Sequence, residues 1–123
     1  MMIKIEAIVR ETSFEEVKLA LNDLGLNGIT VSQVMGCGVS KGYKTFVRGQ
    51  EVDVIMLPKI KFEIVVESEE LEKQVIDAIC KVAKTGEPGD GKIFSYEIRE
   101  AVRIRTGERD LKALHSPGFD DEN

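Results

Sequence analysis

Between Ile3 and Arg10 the chain alternates, with Ile3, Ile5, Ala7 and Val9 on one face and Lys4, Glu6, Ile8 and Arg10 on the other. A period of two residues predicts a β-strand with one covered side, ending near Arg10. The period then lengthens. Phe14, Val17, Ala20, Leu21 and Leu24 keep helical spacing, Ser13 stands at the capping position with Glu16 three residues on, and Gly25 is a natural stop. A second strand is expected from Gly28 to Met35, where Ile29 and Val31 oppose Thr30 and Ser32, with Gly36-Cys37-Gly38 as its punctuation. From there to Pro58 no period holds. The clearest alternation follows, with Ile60, Phe62, Ile64 and Val66 opposing Lys59, Lys61, Glu63 and Val65. Ser68 can cap a second helix whose Leu71, Val75, Ile79 and Val82 form a stripe, with Lys81 and Lys84 near its end and Gly86 closing it. Lys92 to Ile98 reads as a fourth strand with Phe94, Tyr96 and Ile98 on one face. Val102 to Arg105 reads as a further extended piece with Ile104 turned inward, and a polar tail begins at Gly107.

The order is strand, helix, strand, long loop, strand, helix, strand. Lys4-Ile-Glu-Ala-Ile-Val and Lys61-Phe-Glu-Ile-Val-Val form a weak internal repeat. A doubled βαβ unit with an antiparallel sheet and both helices on one face is the ferredoxin-like α+β arrangement. Residues 1–107 are expected to form this domain, with a long loop at about 38–57, and residues 108–123 a C-terminal tail. The scaffold hosts many functions, so the function must come from a site.

Composition narrows the classes. The chain has 123 residues, 42% of them hydrophobic, which suits one modest core. No apolar run approaches the roughly 20 residues of a membrane span, and charges lie where a signal peptide would be apolar, so a cytoplasmic protein without membrane insertion is expected. With 17 basic and 22 acidic residues the net charge of −5 opposes direct nucleic-acid binding. Cys37 and Cys80 lack metal-ligand spacing and read as free thiols. The one histidine, His115, falls in the tail as a solvated residue, which removes Ser/His and Cys/His chemistry. Glu69, Glu70 and Glu72 suit a helix N-terminus without any catalytic role, and no acid/base pair or metal site stands out. The expectation is a protein that is not an enzyme.

Three features exceed what a core requires. The stretch from Gly36 to Leu57, about 22 residues without a clear period, is longer than most connections, and such loops are commonly functional. Part of it can extend a hairpin, since residues 46–48 and 51–54 flank Gly49-Gln50. In Gly89-Asp90-Gly91-Lys92, two glycines let backbone N–H groups approach an anion and Lys92 adds a charge, although a plain tight turn has the same letters. Arg103 and Arg105 share a face if extended, and either an anion or surface pairing to Glu97, Glu100 or Glu108 would relieve their repulsion. Taken together, these features point to a phosphate site.

The chain resembles the PII signal-transduction proteins. The resemblance runs from about Ile3 to Glu108 and is most specific in Leu57-Pro-Lys-Ile-Lys-Phe-Glu-Ile-Val-Val, Thr85-Gly-Glu-Pro-Gly-Asp-Gly-Lys-Ile-Phe and Val102-Arg-Ile-Arg-Thr-Gly-Glu. It implies a homotrimer that binds ATP or ADP in the clefts between neighbouring copies, with Mg²⁺ accompanying ATP. The adenine would lie near Ile8, Thr30, Gly36, Cys37, Glu63 and Val65, and the phosphates near Gly89, Asp90, Gly91, Lys92, Arg103 and Arg105. Gly38, Val39 and Ser40 would complete the nucleotide site. The loop would be the T-loop, which docks on an ammonium transporter, a nitrogen-assimilation enzyme or a transcription regulator. 2-Oxoglutarate would bind near Gly38, Ser40, Lys41, Gly42 and Lys59. Val39-Ser40, however, stands where the family usually has Arg-Gln, and a serine hydroxyl is a shorter, weaker ligand for Mg²⁺ than a glutamine amide oxygen. This substitution predicts weak 2-oxoglutarate sensing and lower affinity for ATP relative to ADP. Val52 and Gln50 occupy the family's modifiable tyrosine and serine positions, so covalent control there is not expected. The alternative implied by the same departures is a PII-like interaction module without nucleotide or 2-oxoglutarate sensing.

Overall fold

A computed structural model describes residues 1–26, 28–39, 45–47, 50–52 and 54–115. The chain runs β1 (Ile3–Arg10), a 3₁₀ turn (Glu11–Ser13), α1 (Phe14–Asp23), β2 (Thr30–Val39), β3 (Thr45–Val47), β4 (Gln50–Val52), β5 (Val54–Val66), α2 (Glu69–Ala83), β6 (Gly91–Glu97) and a short α3 (Leu111–Leu114). The main sheet has the order β2-β5-β1-β6, every neighbouring pair antiparallel. β5 lies between β1 and β2, and β1 between β5 and β6, so two βαβ units interleave in the ferredoxin-like manner.

The alternation read in β1 and β5 is realised residue by residue. Ile3, Ile5, Ala7 and Val9 are buried with Ile60, Phe62, Ile64 and Val66, and they meet Val17 and Leu21 of α1 and Val75, Ile79 and Ala83 of α2. Phe14 stacks on Phe62 with ring centroids 5.7 Å apart. Burying each such side chain contributes about 1.5–3 kcal/mol, so the sheet–helix layer carries most of the stability. On β6, Ile93 packs against the core, while Phe94 and Tyr96 are exposed on the opposite sheet face with the polar side chains of β1 and β5. That helix-free face carries the site.

Several local expectations are corrected. Ser13 makes no side-chain cap; it closes the 3₁₀ turn and is buried. Ser68 does cap α2, its Oγ accepting from the Leu71 N–H at 3.1 Å. The second helix ends at Ala83, ahead of Gly86, because Lys84 is already extended. Gly36-Cys37-Gly38 does not end β2: the strand continues to Val39, pairing Cys37 with Met56 and Gly38 with Ile55. The expected irregular stretch is therefore largely a two-stranded arm, and β3 and β4 pair Thr45 with Val52 in the hairpin anticipated within it. Val102 to Arg105 is not an extended strand. Val102 forms a single bridge to Arg109, the chain turns between them, and Ile104 is 98% exposed instead of facing inward.

Candidate functional site

The glycine-containing loop after α2 is folded by one carboxylate. Asp90 accepts hydrogen bonds from the Thr85 N–H at 2.8 Å, the Gly86 N–H at 2.9 Å, the Thr85 hydroxyl and the Arg10 Nε at 3.3 Å. Led by the Thr85 hydroxyl, these donors hold the Asp90 carboxyl well below the usual carboxylate range. Two further cations pin the backbone: Arg10 Nη2 donates to the Pro88 carbonyl and Lys59 Nζ to the Gly89 carbonyl, each at 2.6 Å. The loop therefore lies against the end of β1 and the middle of β5.

Gly91 starts β6 at φ 112°, where an added Cβ would overlap the Ile8 carbonyl oxygen and lie 2.9 Å from the Ile8 carbonyl carbon. Only glycine permits this approach of β6 to β1. It places Lys92 opposite Ile8 in the ladder. An added Cβ at Gly36 would meet the Lys59 side chain at 3.1 Å, so Gly36 borders the same place. Arg10, Lys59 and Lys92 stand here with the Asp90 carboxylate already occupied by the loop's own donors, an arrangement that suits a polyphosphate.

A second cluster lies along the same sheet face. Thr30 pairs with Glu63 in the β2–β5 ladder, and Lys4 with Val65 in the β1–β5 ladder. Lys4 Nζ is 2.9 Å from Glu63 Oε1; its hydrogen bond holds the Glu63 carboxyl below its ordinary value, and Glu63 in turn raises the Lys4 ammonium. Glu6 faces Glu63 across the ladder, and its charge is met by Lys61 at 3.3 Å and the Tyr96 hydroxyl at 3.2 Å. A cavity of about 420 Å³ opens over Thr30, Glu63 and Val65, with Ala113 and Leu114 from the C-terminal segment on its side. Such a volume accommodates a small-molecule fragment, and a fixed carboxylate beside an apolar valine suits an amino-substituted base.

Arg103 holds the C-terminal segment. Its Nη1 meets Glu108 at 2.7 Å, and its Nη2 donates to the Ala113 carbonyl at 3.0 Å and the His115 carbonyl at 2.9 Å. Thr106 and then Arg103 keep Glu108 below its ordinary value. Of the two readings open for Arg103, the carboxylate pairing to Glu108 is present. His115 Nε2 is 2.6 Å from Glu67 Oε2, so this histidine is engaged with β5's end and is not simply solvated tail.

The structure thus gathers Ile8, Gly36, Lys59, Gly89, Asp90, Gly91 and Lys92 at one end of the sheet face, and Thr30, Glu63 and Val65 at the other. Arg103 sits with the tail, and Arg105 is exposed on the turn. Asp90 directs its carboxylate into the loop. Cys37 and Cys80 are exposed free thiols. Gly38 and Val39 continue the β2 backbone, whereas Ser40, Lys41 and Gly42 lie outside the described residues. Sequence reasoning missed Arg10, Lys4, Ala113 and Leu114. The alternation that put Lys4 and Arg10 on the face of Ile8 was the available signal for those two, and nothing local marks Ala113 and Leu114. Among the described residues there is no group of side chains able to hold a metal ion, and no helix is long and apolar enough to cross a membrane.

Comparison with known proteins adds a second line. Residues 2–108 match the family described as Nitrogen regulatory protein P-II. The protein of that name from Rhodospirillum rubrum is 52% identical over 113 residues, covering 92% of this chain and 100% of the relative. Its counterpart from Bradyrhizobium diazoefficiens is 50% identical with the same coverage. Among solved structures, the B. subtilis GlnK–ATP complex has a TM-score of 0.76 at 40% identity, covering 92% of this chain and 97% of that one. Arabidopsis thaliana PII bound to citrate has a TM-score of 0.73 at 38% identity, covering 95% and 93%.

Proposed function

Since the chain belongs to the Nitrogen regulatory protein P-II family, we propose that it is a homotrimeric, non-catalytic sensor that binds ATP and ADP in competition and signals through the arm formed by β2 and β5. The observation that carries this reading is the glycine loop pinned by Arg10 and Lys59, which presents Gly89, Gly91 and Lys92 as an anion cradle. Similarity to a GlnK–ATP complex supports the choice of ligand.

The two clusters lie about 13 Å apart along β1, measured from Lys4 to Ile8. In the proposed trimer each cleft joins the glycine loop, Ile8, Gly36 and Cys37 of one copy to Thr30, Glu63 and Val65 of its neighbour. Lys92 and the backbone N–H groups of Gly89 and Gly91 bind phosphate, with Arg105 as a further cation from the neighbour. Glu63 and Thr30 bind the base edge against Val65. Arg103 enters through the segment it holds. The exposed Phe94 and Tyr96 on the helix-free face are the apolar area that packing against other copies would cover. The arm, with exposed Met35, Met56 and Leu57 at its base, docks on a nitrogen-metabolism partner: an ammonium transporter, an assimilation enzyme or a transcription regulator. Nucleotide state biases the arm only through unequal affinity for its conformations.

2-Oxoglutarate sensing is weak in this proposal because Val39-Ser40 removes the arginine and the amide ligand, which also favours ADP over ATP. Displacement of a fluorescent ADP analogue tests the reading: ADP and ATP both displace it, ADP at the lower concentration. Failure of both to displace it, or failure of the analogue to bind, supports instead a trimeric interaction module without nucleotide sensing. With Mg-ATP present, Val39→Arg/Ser40→Gln is expected to gain 2-oxoglutarate binding over the native chain. Tight binding by the native chain would refute the role given to Ser40.

A further inference from the structure

The C-terminal segment does more than trail from the domain. It is anchored at three places by groups far from it in sequence or turned sharply back on it. Arg103, whose side chain is only 11% exposed, spends both Nη2 protons on the carbonyls of Ala113 and His115 while Nη1 meets Glu108. Asp110 adopts φ 56° and ψ −125°, a backbone state costly for a residue with a Cβ, and is held there by its N–H to the Ala101 carbonyl at 2.8 Å. His115 reaches Glu67 at 2.6 Å. Since Arg103 grips backbone carbonyls and His115 supplies the remaining tie, neither anchor uses the side chains of Ala113 and Leu114.

What that placement achieves is visible at the cavity over Thr30, Glu63 and Val65. Ala113 and Leu114 line it without filling it, leaving about 420 Å³ open. The same cavity is lined by Glu63, whose carboxylate is tied to Lys4, and by Thr30. The lining therefore combines polar groups suited to a hydrogen-bonding edge with aliphatic residues suited to the flat face of a heterocycle.

We infer that the segment Leu111–Leu114 is a wall of the base-binding pocket, with the side chains of Ala113 and Leu114 as ligand contacts and Arg103 as the positioning residue that holds them. The ligand class is an adenine nucleotide, so the inference rests on the nucleotide reading given above. It gives Arg103 a positioning task beside the phosphate contact expected of it.

Calorimetric titration of the full chain with ADP tests this. Because Arg103 grips backbone carbonyls, Leu114→Ala leaves the clamp in place, and it is expected to weaken ADP about fivefold through lost apolar contact. Leu114→Met, of similar volume and still apolar, restores native affinity. Arg103→Met removes the grip on the Ala113 and His115 carbonyls and weakens ADP at least as much as Leu114→Ala. Native affinity in Leu114→Ala, or equal losses in the alanine and methionine variants, overturns the wall while leaving nucleotide binding intact. Tighter ADP binding in Leu114→Ala or Arg103→Met marks the segment as a plug and overturns it as well. Absence of ADP binding by the intact chain overturns the nucleotide reading, and this inference falls with it.

Discussion

Replacing Gly91 with alanine tests how the anion loop is built. At φ 112° an L-residue is strained, and the added Cβ would overlap the Ile8 carbonyl oxygen while approaching Val9 Cα at 3.2 Å. The atoms in the way are backbone of the central strand β1, so neither side can yield without opening the β1–β6 ladder at Val9–Gly91 and Ile8–Lys92. Gly86, at φ 90° with nothing within 4 Å of its would-be Cβ, supplies the control, because alanine there meets only the dihedral cost. That cost is about 1.5 kcal/mol. Gly91→Ala adds steric displacement and about two ladder hydrogen bonds at roughly 1 kcal/mol each, for a total of about 4 kcal/mol. An unfolding entropy of about 2.1 cal/mol/K per residue, applied to this chain, converts these losses to roughly 6 °C for Gly86→Ala and 15 °C for Gly91→Ala. Thermal unfolding is followed at one chain concentration, since assembly makes the midpoint concentration-dependent. Each variant is then titrated with ADP below its midpoint, where Gly86→Ala binds and Gly91→Ala does not. Equal midpoints for the two variants would refute the claim that β6 and β1 are in contact only glycine allows.

Two other perturbations follow from the same structure. Asp90 has a folded pKa depressed below its unfolded value of about 3.9, so its stabilising contribution is present above roughly pH 4 and is lost as the pH falls toward the folded value. The difference in melting temperature between native protein and Asp90→Asn therefore narrows on acidification from pH 6, and a constant difference would contradict the role of the carboxylate in folding the loop. Ser68→Ala, which removes the α2 cap, is expected to cost about 1 kcal/mol, or about 4 °C, whereas Ser13→Ala carries no capping loss; equal capping behaviour at the two serines would refute the distinction.

The core was legible because β1 and β5 each bury one face completely, so burial imprints a two-residue period that nothing else produces. The helices were legible for the same reason at a longer period. The arm was not: Met35 and Met56 are exposed, so β2 and β5 beyond the domain are held by pairing with each other, and pairing between solvent-facing strands leaves no hydrophobic rhythm. Glycines at 36 and 38 then read as punctuation when they are strand residues, Gly36 beside the Lys59 side chain and Gly38 paired with Ile55. At the C-terminus the misleading feature is a short alternation that a side-chain-closed turn overrides. Val102, Ile104 and the arginines alternate as a strand would, but Arg103 is drawn to Glu108 and to two tail carbonyls, and that closes a turn which expels Ile104. At the site, glycine spacing exposed the loop from Gly89 to Lys92. What holds it, Arg10 at 78 and 80 positions' remove and Lys59 at 30, is fixed only once the sheet has formed.

Calorimetric titration of the intact assembled chain with ADP tests the central claim most directly. Saturable binding of one ADP per chain, displaced by ATP, is the result predicted by a glycine loop and a base pocket meeting between copies. A folded trimer that gives no binding heat up to millimolar ADP and ATP would contradict it.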